Sequence, residues 1–243
     1  MIESILLTSA RISTFDGQKH LTNASGFFFA RGERLFLVTS RHVMYDEPSK
    51  HFPNRIEIEL HIDADNMARS TGFSMLLYQD GKSMWRQGVD NSGEIDVAAI
   101  EINRAALPDT TIYHAFTQDH LLGQFDQVEV GSSLVVVGFP LGFHDTLHHM
   151  PVVRQAAVAS SFGLRFKGEG YFLTDARTHR GTSGACVVMR IHDPLPYQDV
   201  LPWRLLGVHS ARLDVGTRDL VLDEALGLNC AWYADILMTL TEA

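Results

Sequence analysis

Cysteine is nearly absent from this chain, with only Cys186 and Cys230 among 243 residues. So low a count argues against a disulfide-stapled secreted scaffold, and two buried thiols are the expectation rather than a Cys186–Cys230 bridge. Long apolar runs are missing too. No stretch approaches the ~18 consecutive apolar residues of a membrane span. The opening MIESILLTSARIS carries neither the basic segment nor the apolar run of a secretory signal. These absences point to a cytoplasmic protein with no membrane partner. Clustered cations are lacking, with 20 Lys and Arg against 29 Asp and Glu and a formal net charge of −9. A phosphate-binding face needs such clusters, so nucleic acid is not an expected partner, and the acidity favours solubility. There are no internal repeats and no low-complexity segments. No feature specifies an oligomeric state.

What is present is a series of short strand-like runs. Apolar or alternating segments recur at residues 4–12, 26–30, 35–39, 55–62, 97–102, 127–130 and 133–139, and again at 152–159, 171–174, 185–189 and 205–209. Each has strand length, and most are rich in Val, Ile, Leu or Phe with Gly, Pro, Asn or Asp nearby. One helix is expected, over residues 231–240. The stretch 80–93, rich in Gly, Asp, Asn and Ser, reads as a long loop or ragged hairpin. Many short strands separated by turns indicate an all-β barrel or sandwich. A hydrophobic share of 45% and a charged share of 20% fit a globular protein long enough to bury a full core. A break near residues 116–126 would divide the chain into two roughly equal halves, which two β-barrels joined by a linker would fit.

Three local patterns carry chemistry together. The apolar run 35–39 leads into a polar turn holding His42. Asp96 stands at the mouth of the apolar run 97–102. Ser183 lies between Gly181 and Gly184, just before the apolar run 185–189. A serine hydroxyl is a weak nucleophile and needs an adjacent base, for which histidine has a suitable pKa. The histidine in turn needs a carboxylate to fix its tautomer and stabilise its cation. Glycines allow two backbone N–H groups to converge on one oxyanion, and Gly181 and Ser183 are the candidate donors. Each pattern alone is common in turns and strand ends. Their order, each at the edge of a strand, is far more specific.

Thr39-Ser40-Arg41-His42-Val43, Asp96-Val97-Ala98-Ala99-Ile100 and the segment DARTHRGTSGA at residues 175–185 resemble the histidine, aspartate and serine motifs of bacterial trypsin-like peptidases. Gly26-Phe27-Phe28 and Val137-Gly138-Phe139-Pro140 match supporting strands, so the likeness spans residues 24–210. The resemblance implies a single peptidase domain over residues 1–243. It would comprise two six-stranded antiparallel β-barrels of chymotrypsin type, about residues 1–120 and 121–243, with a C-terminal helix. It implies His42, Asp96 and Ser183 as a catalytic triad in the cleft between the barrels, and a protein or peptide substrate. The family commonly has Asn or Asp where this chain has Thr182, and Gly where it has Ala185; neither departure removes a reacting group.

By the same resemblance, Arg177 and Thr178 fall at the base and wall of the specificity pocket. His209, Ser210 and Ala211 fall on the strand that pairs with substrate. Arg177 stands where trypsin-type members carry an acid, which disfavours Lys or Arg at the cleavage site. The pair Thr178 and His209 is similar to that of glutamate-specific endopeptidases. A hydroxyl and an imidazole can hydrogen-bond a substrate carboxylate, with Arg177 or Arg212 adding charge. Glu, or else Gln or Asp, is therefore the expected preference; the alternative is that His209 is a packed strand residue.

No cofactor or metal is expected. The run His144-Asp145-Thr146-Leu147-His148-His149 offers ligand types, but in a loop without the fixed geometry a zinc site needs. Cys186 reads as a core residue. An esterase elbow, Gly-x-Ser-x-Gly between strand and helix, does not fit, because Ala185 replaces the last glycine and a strand follows. A non-catalytic or latent peptide-binding module on the same fold remains the alternative function.

Overall fold

Strands dominate the computed structural model, which describes residues 2–123, 128–191, 201–212 and 227–242, without the Arg212 side chain. A short 3-10 turn, Ser4–Thr8, precedes β1 (Ser9–Asp16), β2 (Lys19–Arg31) and β3 (Arg34–Thr39). One helical turn, α1 (Arg41–Met44), follows. Then come β4 (Arg55–His61), β5 (Ser70–Leu76), β6 (Tyr78–Gln79), β7 (Lys82–Ser83), β8 (Trp85–Asp90) and β9 (Gly93–Ile102). The second half holds β10 (Ser133–Gly138), β11 (Val152–Val158), β12 (Tyr171–Asp175), β13 (Cys186–Arg190), β14 (Trp203–Arg212) and β15 (Leu228–Tyr233). The short helix α2 (Ile236–Leu240) ends the described chain.

The strands of the second half form a closed barrel in the order β10-β11-β12-β15-β14-β13. The first half differs from the expected six-stranded barrel. It is a seven-stranded sheet, β5-β4-β1-β2-β3-β9-β8, whose two ends do not meet. Its outer strands explain this, since β5 and β8 each bury a single residue, Met75 and Trp85. Their other large apolar side chains at the strand ends, Leu76 and Val89, stay exposed instead of packing across a closed barrel. The connecting residues are taken up instead by the separate β6–β7 hairpin. The ragged hairpin expected over 80–93 is thus β7, β8 and the turn into β9.

The expected helix over 231–240 is only half there. Its first residues belong to β15, where Cys230 pairs with Leu173 of β12 and Ala231 with His209 of β14. Closing the barrel needs this strand, and tertiary pairing overrides local helical pattern. The start of the expected run at 127–130 lies outside the described residues, and its remainder forms no strand.

The most apolar runs are buried on both faces. In β3, Leu35 and Leu37 join Ile12, Met44 and Ile58 inside the open sheet. Phe36 and Val38 point the other way, to a cluster with Val188, Leu205 and Trp232 of the barrel. Strand β13 does the same, Val187 facing the barrel interior and Cys186 and Val188 the shared cluster. The period of two along a strand sends alternate side chains to two cores. This shared layer fixes sheet and barrel against each other. Both cysteines are free and buried. Among the described residues no helix is long and apolar enough to cross a membrane.

Candidate active site

His42 sits in α1, directly after β3. The strand stops because Ser40 keeps an extended backbone while its carbonyl accepts from Val43 N–H at 3.1 Å, which starts the helical turn. Thr39 and Ser40 are fully buried. The Thr39 hydroxyl donates to Ser25 O at 2.7 Å and the Ser40 hydroxyl to His209 O at 3.0 Å. The second bond crosses from sheet to barrel, so the root of the His42 turn is tied to β14.

Asp96 lies in β9, beside β3, two residues before the Thr39–Ala98 pair. Its Oδ1 accepts from the His42 backbone N–H at 2.8 Å, and its Oδ2 stands 2.7 Å from His42 Nδ1. The Ser210 hydroxyl donates to the same Oδ2. Burial pushes the Asp96 carboxyl up, but the bonds and charge of His42, with the Ser210 bond, outweigh it and hold the pKa below its ordinary value. Burial pulls the His42 imidazole down, and Asp96 more than reverses this, leaving its pKa above the ordinary value. The ionised carboxylate is an acceptor, which assigns the neutral ring's proton to Nδ1 and leaves Nε2 as the basic nitrogen.

Ser183 belongs to the turn entering β13. Gly181 and Gly184 both have positive φ, +87° and +84°, and both are walled in by backbone. A Cβ on Gly181 would lie 2.7 Å from Phe139 O, and one on Gly184 2.2 Å from Ser25 O. Arg180 O accepts from Leu141 N–H and Thr182 O from Ala185 N–H at 2.9 Å, which holds the peptides that carry the Gly181 and Ser183 N–H groups. Among the described residues neither of these N–H groups has a hydrogen-bond partner. His42, Gly181 and Ser183 line one cleft of about 460 Å³, rimmed by Arg180, Lys50 and Asp46. The Ser183 hydroxyl donates to Ser210 O at 3.1 Å rather than to His42.

The expected pocket residues divide. Thr178, His209 and Ser210 are buried; Arg177 and Ala211 are exposed. The Arg212 side chain lies outside the described residues. The Thr178 hydroxyl donates to Asn229 Oδ1, whose Nδ2 donates to Ala176 O at 2.8 Å. His209 is 2% exposed, and its Nδ1 is buried without a partner among the described residues. Burial and the nearby His42 charge lower its pKa to about 4, so it is neutral at physiological pH.

In the histidine run, His148 Nδ1 stands 2.7 Å from Asp145 Oδ2 and His144 Nδ1 2.6 Å from Gly142 O. Among the described residues no group of three or more His, Cys, Asp or Glu is placed to hold a metal ion. Cys186 is fully buried and its thiol is pushed up to about 11, mainly by burial. It is a core residue with almost no thiolate at neutral pH.

Sequence reasoning missed Ser25 and Asn229. Ser25 stands immediately before the Gly26-Phe27-Phe28 match. Asn229 is a lone amide in an otherwise apolar strand, and a buried amide there needs partners.

Residues 24–191 match the family model described as trypsin-like peptidase domain. No curated protein matches the chain. Among solved structures, the fold resembles the serine endoprotease of Yersinia pestis, with a TM-score of 0.54 at 14% identity over 97% of this chain. The chain spans 62% of that structure's length. It also resembles the inactive form of the Rv3671c protease, with a TM-score of 0.50 at 14% identity over 97% of this chain and 88% of that one. An inactive form of Rv3671c from M. tuberculosis H37Rv carrying a serine-to-alanine change gives the same score and identity over 97% and 85%. With the family model covering residues 24–191 and sheet, barrel and cleft arranged as described, the chain belongs to the trypsin-like peptidase domain family.

Proposed function

We propose that this protein is a serine endopeptidase in which Ser183 is the nucleophile, His42 the general base and acid, and Asp96 the group that orients and charges His42. Residues 1–243 then make one peptidase unit, its halves about 1–120 and about 121–243. The observation that carries this reading is the pair of hydrogen bonds between Asp96 and His42, at 2.8 and 2.7 Å, on a cleft that Ser183 also lines. Such a pair leaves Nε2 free to take a proton from a serine. Ser183 Oγ attacks the scissile carbonyl carbon as its proton passes to Nε2. The carbonyl oxygen takes the electron pair and sits against the Gly181 and Ser183 N–H groups. Collapse expels the amine, which takes the proton from His42, and water releases the acyl group by the same route.

At the residue before the scissile bond, the reading favours a polar side chain, Glu or Gln. Support comes from His209, a buried neutral imidazole with a nitrogen unpartnered among the described residues, on the same strand as Ser210. A buried unpaired polar group is costly and gains from a ligand that satisfies it. Arg177 is exposed, so any charge it adds is screened by solvent.

A second reading, a latent peptidase or non-catalytic peptide-binding module, is favoured by one observation, the Ser183 hydroxyl bonded to Ser210 O. Fluorophosphonate labelling read by intact mass separates the two. The peptidase reading expects one adduct on the wild type and none on Ser183→Ala. Absence of an adduct from both proteins would overturn it in favour of the second reading.

A further inference from the structure

We propose that Ser25, in the open sheet, is a positioning residue for the oxyanion turn of the barrel; the proposal rests on the peptidase reading of Ser183. Ser25 is fully buried in β2, on the opposite side of the seam from Ser183. Its backbone N–H donates to Ser183 O at 2.9 Å. Its hydroxyl donates to Gly181 O at 2.7 Å and accepts from Phe139 N–H at 2.9 Å. One residue therefore grips the carbonyls on either side of Thr182, and the segment Gly181–Ser183 hangs from it. Its own carbonyl accepts from Thr39 Oγ1, three residues before His42. Ser25 thus joins the backbone that presents the base to the backbone that presents the nucleophile and the two unpartnered N–H groups.

Alternative holds on this turn exist, but among the described residues none spans the seam to Gly181. Leu141 N–H on Arg180 O and Ala185 N–H on Thr182 O both lie within the second half of the chain. Without the Ser25 hydroxyl, Gly181 O and Phe139 N–H lose their common partner, and the Gly181–Thr182 peptide keeps only the longer bond from Thr182 N–H to His179 O at 3.2 Å, within the barrel half. Catalysis by fixed donors depends on their not reorganising as charge develops.

The test is the Ser25→Ala variant, which keeps the backbone bond to Ser183 and removes only the hydroxyl. The probe is a fluorophosphonate, whose phosphoryl oxygen needs the same donors as a peptide oxyanion. Its labelling rate is expected to fall by roughly 10- to 100-fold, the scale of a displaced or lost donor. The pH midpoint of labelling should match the wild type, because the His42–Asp96 bonds are untouched. A wild-type rate, with or without a lower melting temperature, overturns the proposal. So does a shifted midpoint, which would place the effect at His42. Wild-type protein that takes no label counts against the peptidase reading, and amide NMR then judges Ser25 by itself. Displaced or broadened Gly181 and Ser183 amide resonances, with strand resonances retained, support the clamp; unmoved ones overturn it.

Discussion

Asp96 holds His42 at two points, Oδ1 taking the backbone N–H at 2.8 Å and Oδ2 facing Nδ1 at 2.7 Å. One contact fixes the ring's position and the other its tautomer. The Asp96→Asn variant keeps the shape but presents an amide, whose NH₂ group opposes an Nδ1–H. Turnover of a fluorogenic peptide pool should drop by about 10⁴, the scale of losing the correct tautomer in a triad of this kind. The melting temperature should fall far less. Turnover within tenfold of wild type would remove Asp96 from the mechanism.

The same pair sets a pH signature. On the proposed mechanism activity needs neutral His42, whose pKa is raised, so the rate should climb with pH through a midpoint above the ordinary ~6.5. For stability the signs are opposite for the two partners. The raised His42 pKa contributes stability that is fully present below the unfolded value and is lost as pH rises through the folded one. The lowered Asp96 pKa contributes stability present above its unfolded value and lost as pH falls through the folded one. The melting-temperature difference between wild type and Asp96→Asn should therefore peak between about pH 4 and 6.5. A difference that kept growing toward pH 9 would contradict the assignment.

Much of this site is readable in the chain because its parts end strands. The apolar run before His42 and the run after Ser183 are continuous since β3 and β13 feed cores on both faces, so their ends stand out against polar turns. Ser25 does not stand out. Its partners Phe139 and Gly181 lie 114 and 156 residues away, and nothing local marks a serine that bridges two sheets. The β15 strand is hidden for a similar reason, since barrel closure, not local pattern, makes residues 228–233 extended. The open first sheet is equally illegible. Whether β5 and β8 meet is set by long-range packing that their own residues do not encode, while the order of the motifs is compatible with either outcome.

His209 gives a prediction about both specificity and acid stability. If its neutral ring reads the residue before the scissile bond, His209→Leu should erase a preference for Glu or Gln over Leu by roughly 10- to 100-fold in kcat/KM, the scale of one buried hydrogen bond. A peptide library on both proteins reads this directly. The buried ring also resists protonation, with a folded pKa near 4. Between ~6.5 and that value the unfolded chain binds the extra proton, so the wild type should lose stability as pH falls. The leucine variant should be less sensitive to acid over that window. Equal acid sensitivity would mean that His209 protonates in the folded state without penalty.

Gly184 tests how tightly the Ser183 turn is packed against the His42 strand. Its φ of +84° is strained for any residue with a Cβ, and that atom would lie 2.1 Å from Thr39 Oγ1 and 2.2 Å from Ser25 O. Neither neighbour can retreat cheaply. Thr39 is fully buried and bonded to Ser25 O, while Ser25 N–H is bonded to Ser183 O. Relief must come by pushing the turn away from the sheet, which breaks the clamp. Overpacking of 1–3 kcal/mol adds to the backbone strain, so Gly184→Ala should cost about 3 kcal/mol or more in urea unfolding. Any folded remainder should label with fluorophosphonate more slowly than wild type, because Ser183 moves with the turn. A variant of near-normal stability would show that sheet and barrel give way at the seam, and rigid positioning of Ser183 against His42 would no longer follow from the packing.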